Sequence, residues 1–281
     1  MRTNPRPRTV PYETIAVENP EPGDYYFTVY GYNAFENVEL RVSFSEPSAQ
    51  LGAATDGAAF EGIHAPGGIA SLFGVGLSNA TEAATSLPLP KQLGGVRVIV
   101  DGIECALFFV SPNQINFQFP SRVSAGAFTD VYVLKDGELS DPVTARYRVA
   151  APQIFVDPNT MLPVVTHADG ALVTPDNPVR GGEAIVVYFT GIGFVSSMPA
   201  DGDPATGNPL SQTLFRAAAT LGGAETTVLF AGLTPGFVGL AQANLLLPAE
   251  LPEGGALDLA LRIETSVSAY ASKIVSLPAA Q

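Results

Sequence analysis

Short apolar runs broken by turn residues set the rhythm of this chain. Over residues 38–44, Val38, Leu40, Val42 and Phe44 alternate with Glu39, Arg41 and Ser43. A period of two puts one face in a core and the other in water, which predicts a strand. Residues 24–30, aromatic and β-branched and closed by Gly31, predict another. Alternation disappears over 47–63, where small and polar residues predict a linker. From Ile69 apolar runs return at 69–77, 95–100, 105–110, 115–119, 128–134 and 143–149, and a similar run spans 184–189. A spacing of roughly ten residues with turn signals between is the pattern of an all-β sandwich. No helix-period segment exceeds about two turns, and Thr81–Ser86 predicts only a short helical turn.

The chain also repeats itself. Val96-Arg-Val-Ile-Val-Asp-Gly102 and Ala217-Ala-Ala-Thr-Leu-Gly-Gly223 each run a strand into a two-residue turn, which predicts tight hairpins at Gly102 and Gly223. Ala106-Leu-Phe-Phe109 then aligns with Val228-Leu-Phe-Ala231. The most specific match is Gln-x-Asn-x-x-x-Pro, with Gln114, Asn116 and Pro120 in one copy and Gln242, Asn244 and Pro248 in the other. The extra length of the second copy falls in the turn-rich stretch 233–239. In a strand, Gln and Asn two residues apart share a face. Such a pair either meets a ligand or clamps the strand entry to a neighbouring turn through backbone hydrogen bonds. The recurrence at one structural point favours the clamp.

Composition narrows the functional classes. Hydrophobic residues make up 46% of the 281 and charged residues 15%, enough apolar material for sizeable cores. The formal charge of −13, with no run of three Lys or Arg, argues against binding nucleic acid or an anionic membrane. No apolar stretch reaches the ~18 residues of a membrane helix. The single cysteine, Cys105, lies in an apolar run and predicts a buried hydrophobe rather than a nucleophile. His167-Ala-Asp169-Gly170 reads as a β-turn, and no Gly-x-Ser-x-Gly elbow accompanies it or His64. Asp201, Asp203 and Asn208 offer oxygen ligands in a Gly-rich loop, but without the spacing of a calcium hand they predict a plain polar loop. The residues therefore predict no catalytic set, no cofactor and no metal.

Several segments together resemble a known family. His64-Ala-Pro-Gly-Gly-Ile-Ala-Ser-Leu-Phe-Gly, Leu93-Gly-Gly-Val-Arg-Val, Phe109-Val-Ser-Pro-Asn-Gln-Ile-Asn-Phe-Gln-Phe-Pro120, Ala151-Pro-Gln-Ile-Phe155, Tyr188-Phe-Thr-Gly-Ile-Gly193 and Ala231-Gly-Leu-Thr-Pro-Gly-Phe-Val-Gly-Leu240 occur in order across 64–278. They resemble the Solibacter-type uncharacterised C-terminal domain, found at the ends of exported acidobacterial proteins. The resemblance implies tandem Ig-like (TIG-type) sandwiches and brings no catalytic residues. Residues 19–32 and 38–44 are similar to the closing strands of the bacterial pre-peptidase C-terminal (PPC) domain, a small sandwich on exported enzymes.

The expected organisation is a partial PPC-like sandwich over 1–46, a linker over 47–63, and Ig-like sandwiches over 64–151 and 152–281. The expected function is a non-catalytic, exported or cell-surface module for presentation, spacing or interaction with an unknown protein or glycan. Its signal peptide is presumed missing from this chain. The alternative is an accessory C-terminal region of a secreted hydrolase whose catalytic domain lies upstream. Gln114, Asn116, Gln242, Asn244, Gly102 and Gly223 are the expected structural residues.

Overall fold

The chain divides into two units, Met1–Ser45 and Glu46–Gln281. The computed structural model describes residues 24–28, 49–123 and 127–280. The partial sandwich expected over 1–46 and the strand expected over 38–44 lie outside the described residues, apart from 24–28. Those five are exposed and sit in no strand, and the rest of the strand expected over 24–30 lies outside the described residues.

Residues 49–280 are all β. The first sandwich contains β1 (Gln50–Asp56), β2 (Ile63–His64), β3 (Ile69–Val75), β4 (Glu82–Ala83), β5 (Val96–Val100), β6 (Ile103–Glu104), β7 (Leu107–Val110), β8 (Gln114–Gln118), β9 (Phe128–Lys135), β10 (Glu138–Leu139) and β11 (Val143–Tyr147). One sheet runs β1-β3-β8-β7-β4, and the other runs β2-β11-β9-β5-β6 with β10 on β9. Leu72, Val98, Leu107, Ile115, Phe117 and Val133 are among the side chains that close the core between them. Two expectations are corrected here. The linker expected over 47–63 holds β1, which pairs with β3 from Gln50↔Val75 to Asp56↔Ala70 and sends Ala54 into the core. The helical turn expected over 81–86 gives way to β4, whose backbone completes the sheet edge against β7.

The second sandwich contains β12 (Gln153–Ile154), β13 (Val165–His167), β14 (Ala184–Thr190), β15 (Arg216–Leu221), β16 (Ala224–Leu233), β17 (Ala241–Leu246), β18 (Ala256–Glu264), β19 (Ala269–Ala271) and β20 (Val275–Pro278). Its core includes Ile185, Val187, Phe189, Leu245, Leu259 and Leu277. Its strands form one continuous sheet, β12-β14-β17-β16-β15-β18-β19 with β13 on β14 and β20 on β18, in which β16 pairs with β15 over its first residues and with β17 thereafter. The first copy splits this element into β6, on β5, and β7, on β8. The hairpin turns match in both copies. Asp101 and Gly102 have φ of +51° and +74°, and Gly222 and Gly223 have +58° and +83°. Two consecutive positive φ values are what a type I′ turn requires, and its twist suits antiparallel strands.

The two sandwiches belong to one compact unit and are cross-linked by side chains. Thr190 Oγ1 accepts a hydrogen bond from Ile69 N at 2.7 Å. Gln118 spans the junction: its Nε2 donates to Gly67 O at 3.3 Å, and its Oε1 accepts from Gly202 N at 2.7 Å. Asp201 accepts from Ser121 N at 3.1 and 3.3 Å. Gly202 lies so close to the first sandwich that a Cβ there would sit 3.1 Å from Leu89 O. The loop expected to be merely polar is therefore a junction element. The Asp201 carboxylate serves the first sandwich's backbone.

Candidate functional site

The Gln-x-Asn pairs lie at matching places on the outward faces of the two sandwiches. In the first, Ile115 and Phe117 point into the core, so Gln114 and Asn116 point away from it. Gln114 Nε2 donates to Asn116 Oδ1 at 2.8 Å, and Ser71 Oγ donates to the same oxygen at 3.0 Å. In the second, Gln242 Nε2 donates to Asn244 Oδ1 at 2.9 Å. The amides are half-buried and bond to each other, with Ser71 of the neighbouring β3 joining the first pair, whereas the clamp expectation has them tie the strand entry to a turn backbone. The physical reason is the two-residue spacing on one sheet face, which brings one amide within reach of the next.

Aromatic rings flank both pairs. Phe73 on β3 stands opposite Gln114, and Tyr188 on β14 stands opposite Gln242. On the other side Phe109 faces Asn116, and Phe230 faces Asn244. Each is preceded by a β-bulge, between Leu107 and Phe109 and between Val228 and Phe230. A bulge adds one residue and re-aims the next side chain. Sequence alignment of Phe109 with Ala231 was thus one residue out of step. The register equates Phe109 with Phe230, in step with Gly102 and Gly223. The adjacent Phe108-Phe109 concealed the slip, because either phenylalanine matches Phe230 by letter.

Above the first pair sits a short turn fixed by a buried carboxylate. Asp56 is 2% exposed, and burial raises its pKa above the usual carboxylate value. Its Oδ1 accepts from Ala58 N and Ala59 N at 2.8 and 2.7 Å, and its Oδ2 accepts from Glu61 N at 2.6 Å. The turn displays Phe60, 56% exposed, with φ +56°. A bulky residue in the left-handed region is strained and is held there by its surroundings. The Phe60 ring meets Phe73 edge-on with centroids 5.8 Å apart. Sequence reasoning missed Phe60, since 57–61 lay inside the expected linker; Asp56-Gly57 was the available turn signal.

The groups of classical reactivity are spent on the fold. Cys105 is buried, its thiol pKa pushed far up by desolvation and then by the Asp201 charge, so no thiolate forms at neutral pH. His64 stacks on Phe119 with centroids 4.6 Å apart, in a closed cleft at the junction beside Asp56 and Thr190. Burial pushes its pKa down to about 4, and the nearby Ala54 carbonyl offsets a part of that fall. Its Nε2 is buried without a partner. His167 lies between two acceptors, with Nδ1 3.1 Å from Glu183 Oε2 and Nε2 3.2 Å from Asn177 O. The turn after it closes through Gly170 N donating to His167 O at 3.0 Å. Among the described residues no group of three His, Cys, Asp or Glu is placed to hold a metal ion. No helix among them is long and apolar enough to cross a membrane.

No protein-family model matches the chain, and no curated protein matches it. Solved structures do. The Plexin A4 full extracellular region is similar over 88% of this chain and 20% of its own length, at 10% identity and a TM-score of 0.29. SGBP-B from a complex xyloglucan utilization locus in Bacteroides uniformis is similar over 83% of this chain and 50% of its own length, at 10% identity and a TM-score of 0.25. The tandem Ig repeats of Dlar are similar over 84% and 99%, at 12% identity and a TM-score of 0.20. This chain thus spans a fifth of the plexin region and half of the Bacteroides protein.

Proposed function

We propose that this chain is a non-catalytic module of the cell exterior or cell surface that spaces, presents or contacts protein or glycan. The observation that carries the reading is the junction. Gln118, Thr190 and Asp201 bind one sandwich to the other by hydrogen bonds that each span far-separated parts of the chain. Domains joined by weak contacts move by default, whereas a cross-linked pair holds its outward faces at one separation. A spacing or presenting module uses that stiffness. An acidic surface of net charge −13 suits solubility outside the cell. Among the described residues the thiol is buried, His64 is stacked inside the junction, and His167 is held between Glu183 and Asn177, uses that suit a structural role.

A peptidase, esterase and glycosidase screen of the purified chain tests the reading. The expected result is no turnover above the blank. Turnover that disappears in Cys105→Ala, His64→Ala or His167→Ala contradicts it.

A further inference from the structure

We propose that the outward face of β1, β3, β8 and β7, with Phe60 standing over it, is a binding site for neutral polysaccharide. This rests on the non-catalytic reading above and names the ligand class. The amide pair supplies the first argument. Because Gln114 Nε2 donates to Asn116 Oδ1, the pair still offers the Gln114 Oε1 acceptor and the Asn116 Nδ2 donor. Neither atom has a hydrogen-bond partner among the described residues, and neither is among the side-chain atoms buried without one. One acceptor and one donor side by side suit hydroxyl groups, which both give and accept.

The second argument is the apolar frame. Phe73 and Phe109 bracket the pair on the neighbouring strands, and the edge strands contribute only Ala53 and Ala83 beside them. Phe60 rises above this low floor. The Asp56 turn holds it exposed on a strained backbone, and solvent alone gives no reason for that cost. An aromatic face packs against the C–H face of a sugar ring while amides take the hydroxyls.

Charge selects the kind of chain. In a protein of charge −13, no residue that shares this face on β1, β3, β8 or β7 is charged, and the charges beside Phe60, Glu61 and Lys273, pair with each other. An acidic glycan or a basic peptide would find no counter-charge there, whereas a neutral glycan needs none. The second sandwich repeats the arrangement with Tyr188, Gln242, Asn244 and Phe230. Two such faces held at one separation suit a polymer of repeating units, since the second contact is then intramolecular.

Native affinity electrophoresis of the full chain tests the proposal. The gels contain mixed-linkage β-glucan, galactomannan, arabinoxylan or dextran, with polygalacturonate as the acidic control. The chain should be retarded by at least one neutral polymer and not by polygalacturonate. Phe60→Ala should weaken that retardation about tenfold in apparent Kd, as loss of an exposed aromatic anchor does. Asn116→Asp, which keeps the shape and adds a charge, should also weaken it, and thermal melts confirm that both variants fold. No retardation by any neutral polymer, or full retardation of both variants, overturns the site. Release of reducing ends from the same polymers distinguishes the two claims. Retardation with cleavage upholds the site and contradicts the non-catalytic reading. Neither retardation nor cleavage overturns the site and leaves that reading standing.

Discussion

His64 shows how one side chain fixes a pH dependence. It is 2% exposed, stacked on Phe119, and its Nε2 faces nothing that can accept a proton's hydrogen bond. Burial therefore holds the folded-state pKa at about 4, against 6.5 when exposed. Between pH 6.5 and 4 the unfolded chain binds a proton that the folded chain refuses. The full stability contribution is present above pH 6.5, falls as pH drops toward 4, and is constant below. Two and a half pH units at about 1.4 kcal/mol each give about 3 kcal/mol. Asp56, in the same cleft, acts in the opposite sense: burial raises its pKa, so the folded state binds the proton more tightly than the unfolded chain. Tyr147, which also stacks on Phe119, has its pKa raised by burial and stays neutral throughout. Melting temperatures at pH 7, 5.5 and 4 should fall for the wild type, and His64→Phe should flatten the upper part of that fall. An unchanged slope in the variant contradicts this account. The residue type was legible in the sequence but its state was not, because the stacking partner lies 55 positions away.

At the scale of elements, sequence pattern reported the strands that bury large side chains and missed those that bury small ones. β5 and β8 place apolar residues at every inward position, Val96, Val98 and Val100 in one and Ile115 and Phe117 in the other, and are visible at once. β1 reads Gln-Leu-Gly-Ala-Ala-Thr-Asp, where the inward Ala54 and the outward Ala53 are the same letter. Nothing local separates its two faces, so only pairing with β3 identifies it. The hairpin turns at Gly102 and Gly223 were legible because positive φ demands particular residues. The bulges before Phe109 and Phe230 were not, since no residue type marks them. Two truncations separate the strand from the linker interpretation. A chain beginning at residue 46 keeps β1 and should melt cooperatively. One beginning at 64 loses Ala54 from the core, exposes the β3 edge and removes the Asp56 turn. It should melt several degrees lower and aggregate more readily. Equal melting of the two pieces would restore 47–63 to the status of a linker.

The whole molecule has a repeat that the sequence disclosed and a junction that it concealed. Gln-x-Asn-x-x-x-Pro, the paired turns and the extra length at 233–239 mark the two copies in the sequence itself. The junction depends on Thr190, Gln118 and Asp201, whose partners lie 121, 84 and 80 positions away. Asp201 illustrates the difficulty: in sequence it is an oxygen ligand in a Gly-rich loop, and in the fold it receives Ser121 N. The central claim is that these contacts make the tandem one stiff unit presenting two faces. Pulsed electron–electron resonance tests it most directly, with spin labels at Glu138→Cys on the first sandwich and Ala224→Cys on the second, both exposed, in a Cys105→Ala background. The account predicts one narrow distance distribution that broadens when Thr190→Val and Gln118→Ala are added. A broad distribution in the parent chain, unchanged by those substitutions, would contradict it.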